Sequence, residues 1–579
     1  YTSSYTMQNP IKQWQIAAIL TPEADESLKD FPQPLRQILF NRGYADQTSA
    51  LNFLSASPPS LTDPSQLLGM DAAVSRLVSA ISKGEQIAIY GDYDVDGVTA
   101  TALLVQVLLA LGAQVEGYIP NRFDEGYGLN NEALDSLKER GVRLVVTVDC
   151  GVRSINEAKH ATELGLDLII TDHHHPGEQL PAVLAVINPK QAGDKYPDKN
   201  LAGVGIAYKL GLALLIRLRN IGNHQAEAFD ESQLLDLVAL GTVADLAPLT
   251  AENRNLVRSG LSAIRQPRRQ GLQALMGVCG LVPHRIKASD IGFVLGPRLN
   301  AAGRLDSAMA SFDLLTTDSI NEAGRLAQQL DNQNRERQKI THEIQARAEQ
   351  IALAEDPDAM LLFAADPEFN PGIVGLVASR LNEQYYRPAI VAHHGNTHTR
   401  GSCRSIPEFH ITEALDKCEE LLEHHGGHAA AAGFTVRNDN LNELLFRLRS
   451  IANEQLSGLD LRPVLQADLE IQLSSLVPEI LEQLEVLQPT GYGNPQAVFV
   501  SRELRVNDHR LVGKDGSHLK LTVSDGWITY DAIAFRQGQW HAEMPLFVDL
   551  MYTFEKNEFN GKENLQLKVR DIKPSNSED

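Results

Sequence analysis

Between residue 86 and about residue 190 the chain repeats one pattern: a short apolar, β-branched run followed by a segment of helical period. "EQIAIYGD" precedes the apolar helix "TATALLVQVLLALG", "AQVEGYIP" precedes "NEALDSLKERG", and "RLVVTVDCG" precedes "SINEAKHATELG". "LDLIITDHHH" and "AVLAVINP" continue the series. Strands alternating with helices of roughly 10–15 residues specify βαβ units and a mostly parallel sheet, because a parallel pair needs a crossover. The same pattern says where a ligand sits: in an open parallel sheet the carboxyl ends of the strands line the crevice.

Three of those strand ends carry acids or histidines. They are Asp92, Asp94 and Asp96, then Asp149, then Asp172-His173-His174-His175. Asp245, in "LVALGTVADLAPL", comes from a helix instead. The opening "DYDVDG" imitates a calcium loop, but the twelfth loop position is Leu103 instead of a glutamate, and a strand precedes it. The EF-hand reading therefore fails. A lone aspartate at a strand end is more often a helix N-cap than a ligand, but capping does not explain this many acids beside a triple histidine. Gathered carboxylates raise one another's pKa unless a cation neutralises them, and no lysine or arginine lies within these motifs. Divalent ions are the natural counter-charge. Oxygen ligands suit Mg²⁺ and Mn²⁺, and imidazole tilts the choice toward Mn²⁺. Acids enough for two sites, one of them shared, point to two ions about 3.5–4 Å apart, an arrangement that serves phosphoryl displacement.

At 579 residues the chain exceeds a single core, and about three to five domains are expected. Residues 1–60 read as a helical segment ending in the proline-rich "SASPPSLTDPSQL", 61–318 as an α/β domain, and 319–355 as one long polar helix. A second α/β segment follows over 356–457, and 462–575 read as strands separated by turns, a small barrel such as an OB-fold. An apolar fraction of 43% with no long uncharged apolar run excludes a membrane span, which needs roughly 20 such residues. The start lacks the basic-then-apolar order of a signal peptide, and four scattered cysteines form no framework; both fit a reducing cytoplasm. The formal charge of −22 argues mildly against a nucleic-acid partner. Binding is local, however, and Asn253–Ser289 holds no acid but carries Arg254, Arg258, Arg265, Arg268, Arg269, Arg285 and Lys287. Alone that is as compatible with a solvated face; beside a phosphate-handling site it becomes a candidate DNA surface.

"GDYDVDG", "VVTVDCG", "ITDHHH" and "GTVADLAPL" resemble, in order, the four motifs of the DHH phosphoesterase superfamily. That superfamily also holds family II pyrophosphatases, nano-RNases and cyclic-dinucleotide phosphodiesterases. "NRFDEGYGLN" (121–130), "GVGIAYKL" (203–210), "GPRLNAAGRL" (296–305), "GSCRS" (401–405), "GGHAAAAGF" (426–434), "GYGNP" (491–495) and "GKDGSHLKLTV" (513–523) narrow the likeness to the bacterial RecJ family of single-stranded-DNA exonucleases and extend it over nearly the whole chain.

The resemblance implies a multidomain α/β fold: a DHH parallel-sheet lobe and a DHHA1 α/β lobe joined by a long helix, plus a C-terminal OB-fold β-barrel. It implies that Asp94, Asp96, Asp149, His173 and Asp245 hold two divalent ions, Mn²⁺ or Mg²⁺, with Asp149 as the bridge. Asp92 is then a ligand or a ligand's neighbour, Asp172 orients an imidazole, and His174 contacts the scissile phosphate or protonates the leaving oxygen. His175 merely follows the motif, and His424 and His425 are read as surface. Ser402, Arg404, Gly426, Gly427 and His428 are the implied holders of substrate phosphate and sugar; Arg298, Asn300 and Arg304 are implied clamps on its backbone. In the barrel Lys514, His518 and Lys520 are candidates, although obvious stacking aromatics are scarce there.

The implied activity is hydrolysis of single-stranded DNA from the 5′ end to 5′-mononucleotides, in recombination and repair. A channel too narrow for duplex accounts for strand specificity, and backbone contact for indifference to sequence. The implied partners are single-stranded DNA, a single-strand-binding protein and a RecQ-type helicase, with a monomeric, cytoplasmic enzyme. Two rival readings exist. A DHH enzyme for short oligonucleotides or other small phosphates leaves the long helix and barrel without a role. A catalytically silent nucleic-acid-binding scaffold should have lost ligand acids, and this chain keeps them.

Overall fold

The computed structural model describes residues 11–56, 62–121, 128–305, 307–513, 515–559 and 562–575, and opens with a short strand, β1 (Gln13–Ile16). The alternating segment follows as β2 (Gln86–Gly91), β3 (Gln114–Tyr118), β4 (Leu144–Val148), β5 (Asp167–Thr171) and β6 (Ala185–Ile187). They form one sheet in the order β3-β2-β4-β5-β6, every neighbour parallel. From β2 the chain winds outward to β3, then crosses back to β4 on the other side. The crevice of such a sheet opens where the winding reverses, between the ends of β2 and β4.

Alternate residues feed two layers. Ile87, Ile89, Val146 and Val148 pack with Val98, Leu103 and Leu104 of helix Val95–Ala110 and with Ile206 and Leu210 of helix Gly203–Asn220. Ala88, Tyr90, Val145 and Ile170 face Leu134, Leu137, Ala158 and Ala161 on the opposite side. Strand β4 is buried along its whole length, which is why it reads as an unbroken apolar run. Each such Leu, Ile or Val side chain contributes about 1.5–3 kcal/mol by leaving water.

The described chain divides into two units, one built from Tyr44–Arg335 with Leu484–Gln496, the other from the remaining described residues. Within the first unit the structure ties Arg254 and Arg269 of the acid-free stretch into the fold and leaves Arg258, Arg265, Arg268, Arg285 and Lys287 exposed. Arg254 is buried, stacks on Phe53 at 4.1 Å and donates to the carbonyls of Phe53, Val486, Leu487, Gln488 and Pro489 at 2.9–3.1 Å. Arg258 donates to Leu54 and Ser55, Arg265 to Ile286, and Arg269 to Asp236 and Leu315. Arg268 lies 3.6 Å from Asp230 and Lys287 3.5 Å from Glu485. Arg254 thus supplies the donors that buried loop carbonyls need.

The second unit holds a mixed sheet of β7 (Leu362–Asp366), β8 (Ala389–His394), β9 (His398–Arg404), β10 (Leu422–His428) and β11 (Ala431–Arg437). Its order is β10-β11-β9-β8-β7, and only β7 and β8 run parallel. After β12 (Val464–Ala467) and β13 (Leu469–Glu470) come β14 (Phe499–Val512), β15 (His518–Ser524), β16 (Thr529–Ala534), β17 (Phe547–Phe559) and β18 (Lys562–Pro574). Pairing of β14 with both β15 and β17, and of β18 with both β16 and β17, closes a five-stranded barrel with one parallel pair, the OB-fold expected from sequence. The long polar segment is a single helix of 36 residues, Ile320–Glu355.

The N-terminal region departs from an all-helical reading. Helices Pro22–Ser27, Gln33–Asn41 and Gln47–Ser55 are present, but β1 precedes them and pairs in parallel with β12, Trp14 opposite Leu465. Trp14 is buried, and its indole N–H donates to Asp571, 557 residues away, at 2.8 Å. No local pattern announces so distant a partner. Among the described residues no helix is long and apolar enough to cross a membrane.

Candidate metal centre

The acidic loop begins where β2 ends. Asp94 is the N-cap of helix Val95–Ala110, one carboxylate oxygen accepting from the N–H groups of Asp96 (2.9 Å) and Gly97 (3.1 Å). Residue 97 must be glycine, since a Cβ there would lie 2.4 Å from the carbonyl oxygen of Asp92. Asp96 turns into the fold, fully buried, and accepts from the N–H groups of Gly203 (2.6 Å) and Val204 (2.8 Å). These amides open helix Gly203–Asn220, whose N-terminal dipole suits an anion. Asp149, just past β4, takes a left-handed backbone (φ 62°) while its N–H still bonds Thr171 at 3.0 Å. Aspartate tolerates that conformation better than most residues, and such strain collects at functional sites. Asp245 is the C-cap of helix Leu235–Ala244.

These side chains converge. Three sets have ligand atoms within 4.8 Å of one another: Asp92, Asp94 and Asp149; Asp149, His173 and His174; Asp96, His173 and Asp245. Asp149 and His173 each belong to two sets. Nε2 of His173 stands 3.1 Å from Asp149 Oδ1, 3.6 Å from Asp245 Oδ2 and 3.9 Å from Asp96 Oδ2. Asp149 Oδ1 and His173 Nε2 are both buried, and neither makes a hydrogen bond among the described residues.

Electrostatics define what is missing between them. Burial, then the charge of Asp94, pushes the Asp96 carboxyl up to about 7. Burial, then Asp96, raises Asp245 to about 9, and the same two causes lift Asp149 well above the carboxylate range. Burial, then the charge of His174, lowers His173 to about 3, so its ring is neutral. The donor set of oxygens and one imidazole fits a divalent cation, and a cation restores the charge that burial otherwise suppresses.

Asp172 and His174 form a separate pair at 2.7 Å. Burial would raise Asp172, but bonds from the His174 ring and N–H and from Val152 N–H (2.9 Å) outweigh it and hold the carboxyl low. Burial would lower His174, and its bond to Asp172 outweighs that and raises it. The ring is partly exposed, whereas the His175 side chain points to solvent. One residue absent from the sequence reading stands beside the cluster. Lys190 donates to the carbonyl of His173 at 2.6 Å, its ammonium lowered by burial against the pull of Asp172 and Asp245. It closely follows β6, another strand end of the same crevice, which is the signal that could have found it.

The implied clamp residues have partners of their own. Asn300 accepts from Val95 N–H (3.1 Å) and so braces the acidic loop. Arg298 donates to fully buried Asp331 (2.9 Å) and to the Val294 carbonyl (2.8 Å), while Arg304 lies half-buried in the last turn of helix Gly296–Leu305. In the second unit, Ser402 is opposite Gly433 and Gly433 opposite Gly426; Arg404 is opposite Ala431 and Ala431 opposite His428. Residues two apart, and those directly paired, share a face, so Ser402, Arg404 and His428 lie on one face with small residues between them. Gly427 alternates with them in β10. His424 is exposed, and the His425 ring lies 2.8 Å from Asp416.

In the barrel Lys520 is ion-paired with Asp531 (2.9 Å) and, with His518 and Phe535, lines a groove of about 790 Å³. Lys514 lies outside the described residues. The expected shortage of stacking aromatics is corrected: Trp527, Phe535 and Phe547 are 90%, 49% and 46% exposed. Sequence alone does not distinguish these from the buried Phe499 and Tyr552 of the same barrel.

Three family descriptions match the chain: the DHH family N-terminal domain over residues 86–242, the DHHA1 domain over 358–454 and the RecJ OB domain over 467–571. The single-stranded-DNA-specific exonuclease RecJ of Salmonella typhimurium is 38% identical over 580 residues, covering 95% of this chain and 98% of that protein. The chain belongs to the RecJ family. RecJ of Bacillus subtilis is 39% identical over 538 residues, 92% of this chain and 67% of that protein. The crystal structure of RecJ from Thermus thermophilus in complex with Mn²⁺ superposes with a TM-score of 0.83 at 30% identity, covering 98% of this chain and 80% of that one.

Proposed function

We propose that this chain is a divalent-metal-dependent exonuclease that hydrolyses single-stranded DNA from the 5′ end and releases 5′-mononucleotides, in DNA recombination and repair. The observation that carries the reading is the convergence of Asp92, Asp94, Asp96, Asp149 and Asp245 with His173 and His174 at the reversal between β2 and β4. Mn²⁺ or Mg²⁺ held by Asp94, Asp96, Asp149, His173 and Asp245 would supply neutralising charge to the attacked phosphate and to the attacking and leaving oxygens. The acids hold that charge where water is largely excluded, Asp96 and Asp149 being buried. His174, bonded to Asp172, which raises its pKa, gives a proton to the departing oxygen.

Ser402, Arg404 and His428 hold phosphate and sugar, the guanidinium offering a two-pronged fork to an anion. The barrel groove lined by Lys520, with Phe535 as its stacking surface, tracks the strand. Polarity and product rest on the family to which the chain belongs. The same reading carries a cytoplasmic monomer that works beside a single-strand-binding protein and a RecQ-type helicase.

The test is digestion of long single-stranded DNA labelled at either end, with Mn²⁺, with Mg²⁺ and with EDTA. Early metal-dependent release of the 5′ label as a mononucleotide, absent on blunt duplex, is expected. No release from any long strand, with cleavage of four-nucleotide RNA instead, moves the assignment to a small-substrate phosphoesterase.

A further inference from the structure

The segment Asp172–His175 carries the imidazoles of His173 and His174 but belongs to no helix or strand. Its position is held from outside. The carbonyl of His173 accepts from Lys190 Nζ (2.6 Å), that of His174 from Asn188 Nδ2 (2.9 Å) and that of His175 from Arg153 Nε (2.8 Å). Three consecutive carbonyls are thus tied to three side chains, from the loop after β4 and the loop after β6. Asn188 is fully buried, and its own side-chain carbonyl accepts from the N–H of Lys190 at 2.8 Å, so the pair acts as one bracket. The inward side of the same segment is fixed by Asp172, which accepts from His174 N–H and Val152 N–H. Held by these bonds on both sides, the loop turns the His173 ring toward Asp149, Asp245 and Asp96.

We propose that Lys190 is a positioning residue of the metal centre, its ammonium fixing the His173 carbonyl so that Nε2 of that ring is aimed at the carboxylates. Asn188 and Arg153 extend the bracket to the next two carbonyls. This inference rests on the metal reading given above. Lys190 touches neither the ligand atoms nor, in that reading, the substrate.

Two roles for the ammonium predict opposite signs. As a mere positive charge near Asp172 and Asp245 it opposes a cation, so its removal tightens metal binding. As the anchor of a ligand's backbone its removal loosens binding, and losing such a supporting partner costs about 10–100-fold in metal affinity.

The experiment measures Mn²⁺ binding to the full-length protein by calorimetry and by loss of the free Mn²⁺ paramagnetic signal, for wild type, Lys190→Met, Lys190→Gln and Lys190→Arg. Melting of the metal-free forms reports folding. Lys190→Met is expected to bind Mn²⁺ at least about tenfold more weakly. Lys190→Arg, which keeps donor and charge, is expected to stay close to wild type. In turnover on single-stranded DNA at fixed Mn²⁺, kcat falls while KM holds. Mn²⁺ affinity unchanged or tighter in folded Lys190→Met overturns the proposal, and Lys190→Gln decides the same question should the methionine variant not fold. A wild-type protein that takes up no Mn²⁺ overturns the metal reading itself, an outcome distinct from equal binding by both proteins.

Discussion

Replacing Gly203 by alanine removes no polar group, yet the structure makes it one of the most damaging small changes available. A Cβ there would lie 2.7 Å from Asp149 Cβ and 2.8 Å from its Oδ1. Ordinary carbon contacts sit at about 3.5–4.0 Å, so roughly 1 Å of separation has to be found. Asp149 cannot retreat freely, being held at φ 62° with its N–H bonded to Thr171. If the helix retreats instead, it draws the Gly203 and Val204 amides away from Asp96, which they now hold at 2.6 and 2.8 Å. Overpacking of this kind costs about 1–3 kcal/mol. Alanine's better helix propensity returns at most about 1 kcal/mol, leaving a net loss of roughly 0–3 kcal/mol. The loss of stability stays within that range, while a displacement of about 1 Å at a reacting centre costs on the order of 100-fold in rate. The assay is the initial rate of 5′-label release from single-stranded DNA at saturating Mn²⁺, beside a thermal melt. Gly277→Ala is the control, because nothing lies within 4 Å of a Cβ at that helical position. A folded Gly203→Ala enzyme within about threefold of wild-type rate would refute the reasoning.

Asp149→Ala should leave DNA binding near wild type in a filter or anisotropy assay while abolishing cleavage; unchanged cutting sinks the ligand assignment. Mn²⁺ affinity should rise from about pH 6 to about pH 9, because ligands must lose their protons to bind and Asp96 and Asp245 do so near 7 and 9. The linked effect on the metal-free fold has the opposite sign: with folded pKa values above the unfolded carboxylate value of about 3.9, the fold binds more protons, and stability falls as pH rises through that window. Calorimetry and melts across this range check both, and a pH-independent affinity contradicts them. Arg254→Ala should lower stability by about 3–4 kcal/mol in denaturant unfolding, since its donors satisfy five carbonyls from a buried position. A loss below about 1 kcal/mol would return Arg254 to the list of DNA-binding candidates.

Much of the framework is written locally. Strand runs such as "IAIYG" and "LVVTV", the acids at their ends and the five barrel strands are patterns within a few residues, and period and composition suffice to read them. The acids even carry their own argument for a cation, because their crowding is unfavourable without one.

What escaped the sequence is the choice among partners. Arg254 looks like part of a DNA face until it meets carbonyls from residues 53 and 486–489. Lys190 looks like a loop residue until the fold sets it under His173, and "QWQI" shows no sign of its match in Val464–Ala467. A side chain's chemistry and its period along the chain are local properties, whereas hydrogen-bond partners are drawn from whatever the folded chain brings within about 3 Å. The sequence by itself determined the strands, the barrel and the identity of the acids. Only the tertiary structure decided which cations are structural, which are exposed, and which loop carbonyls hold the histidines in place, because those depend on contacts between segments far apart in the chain.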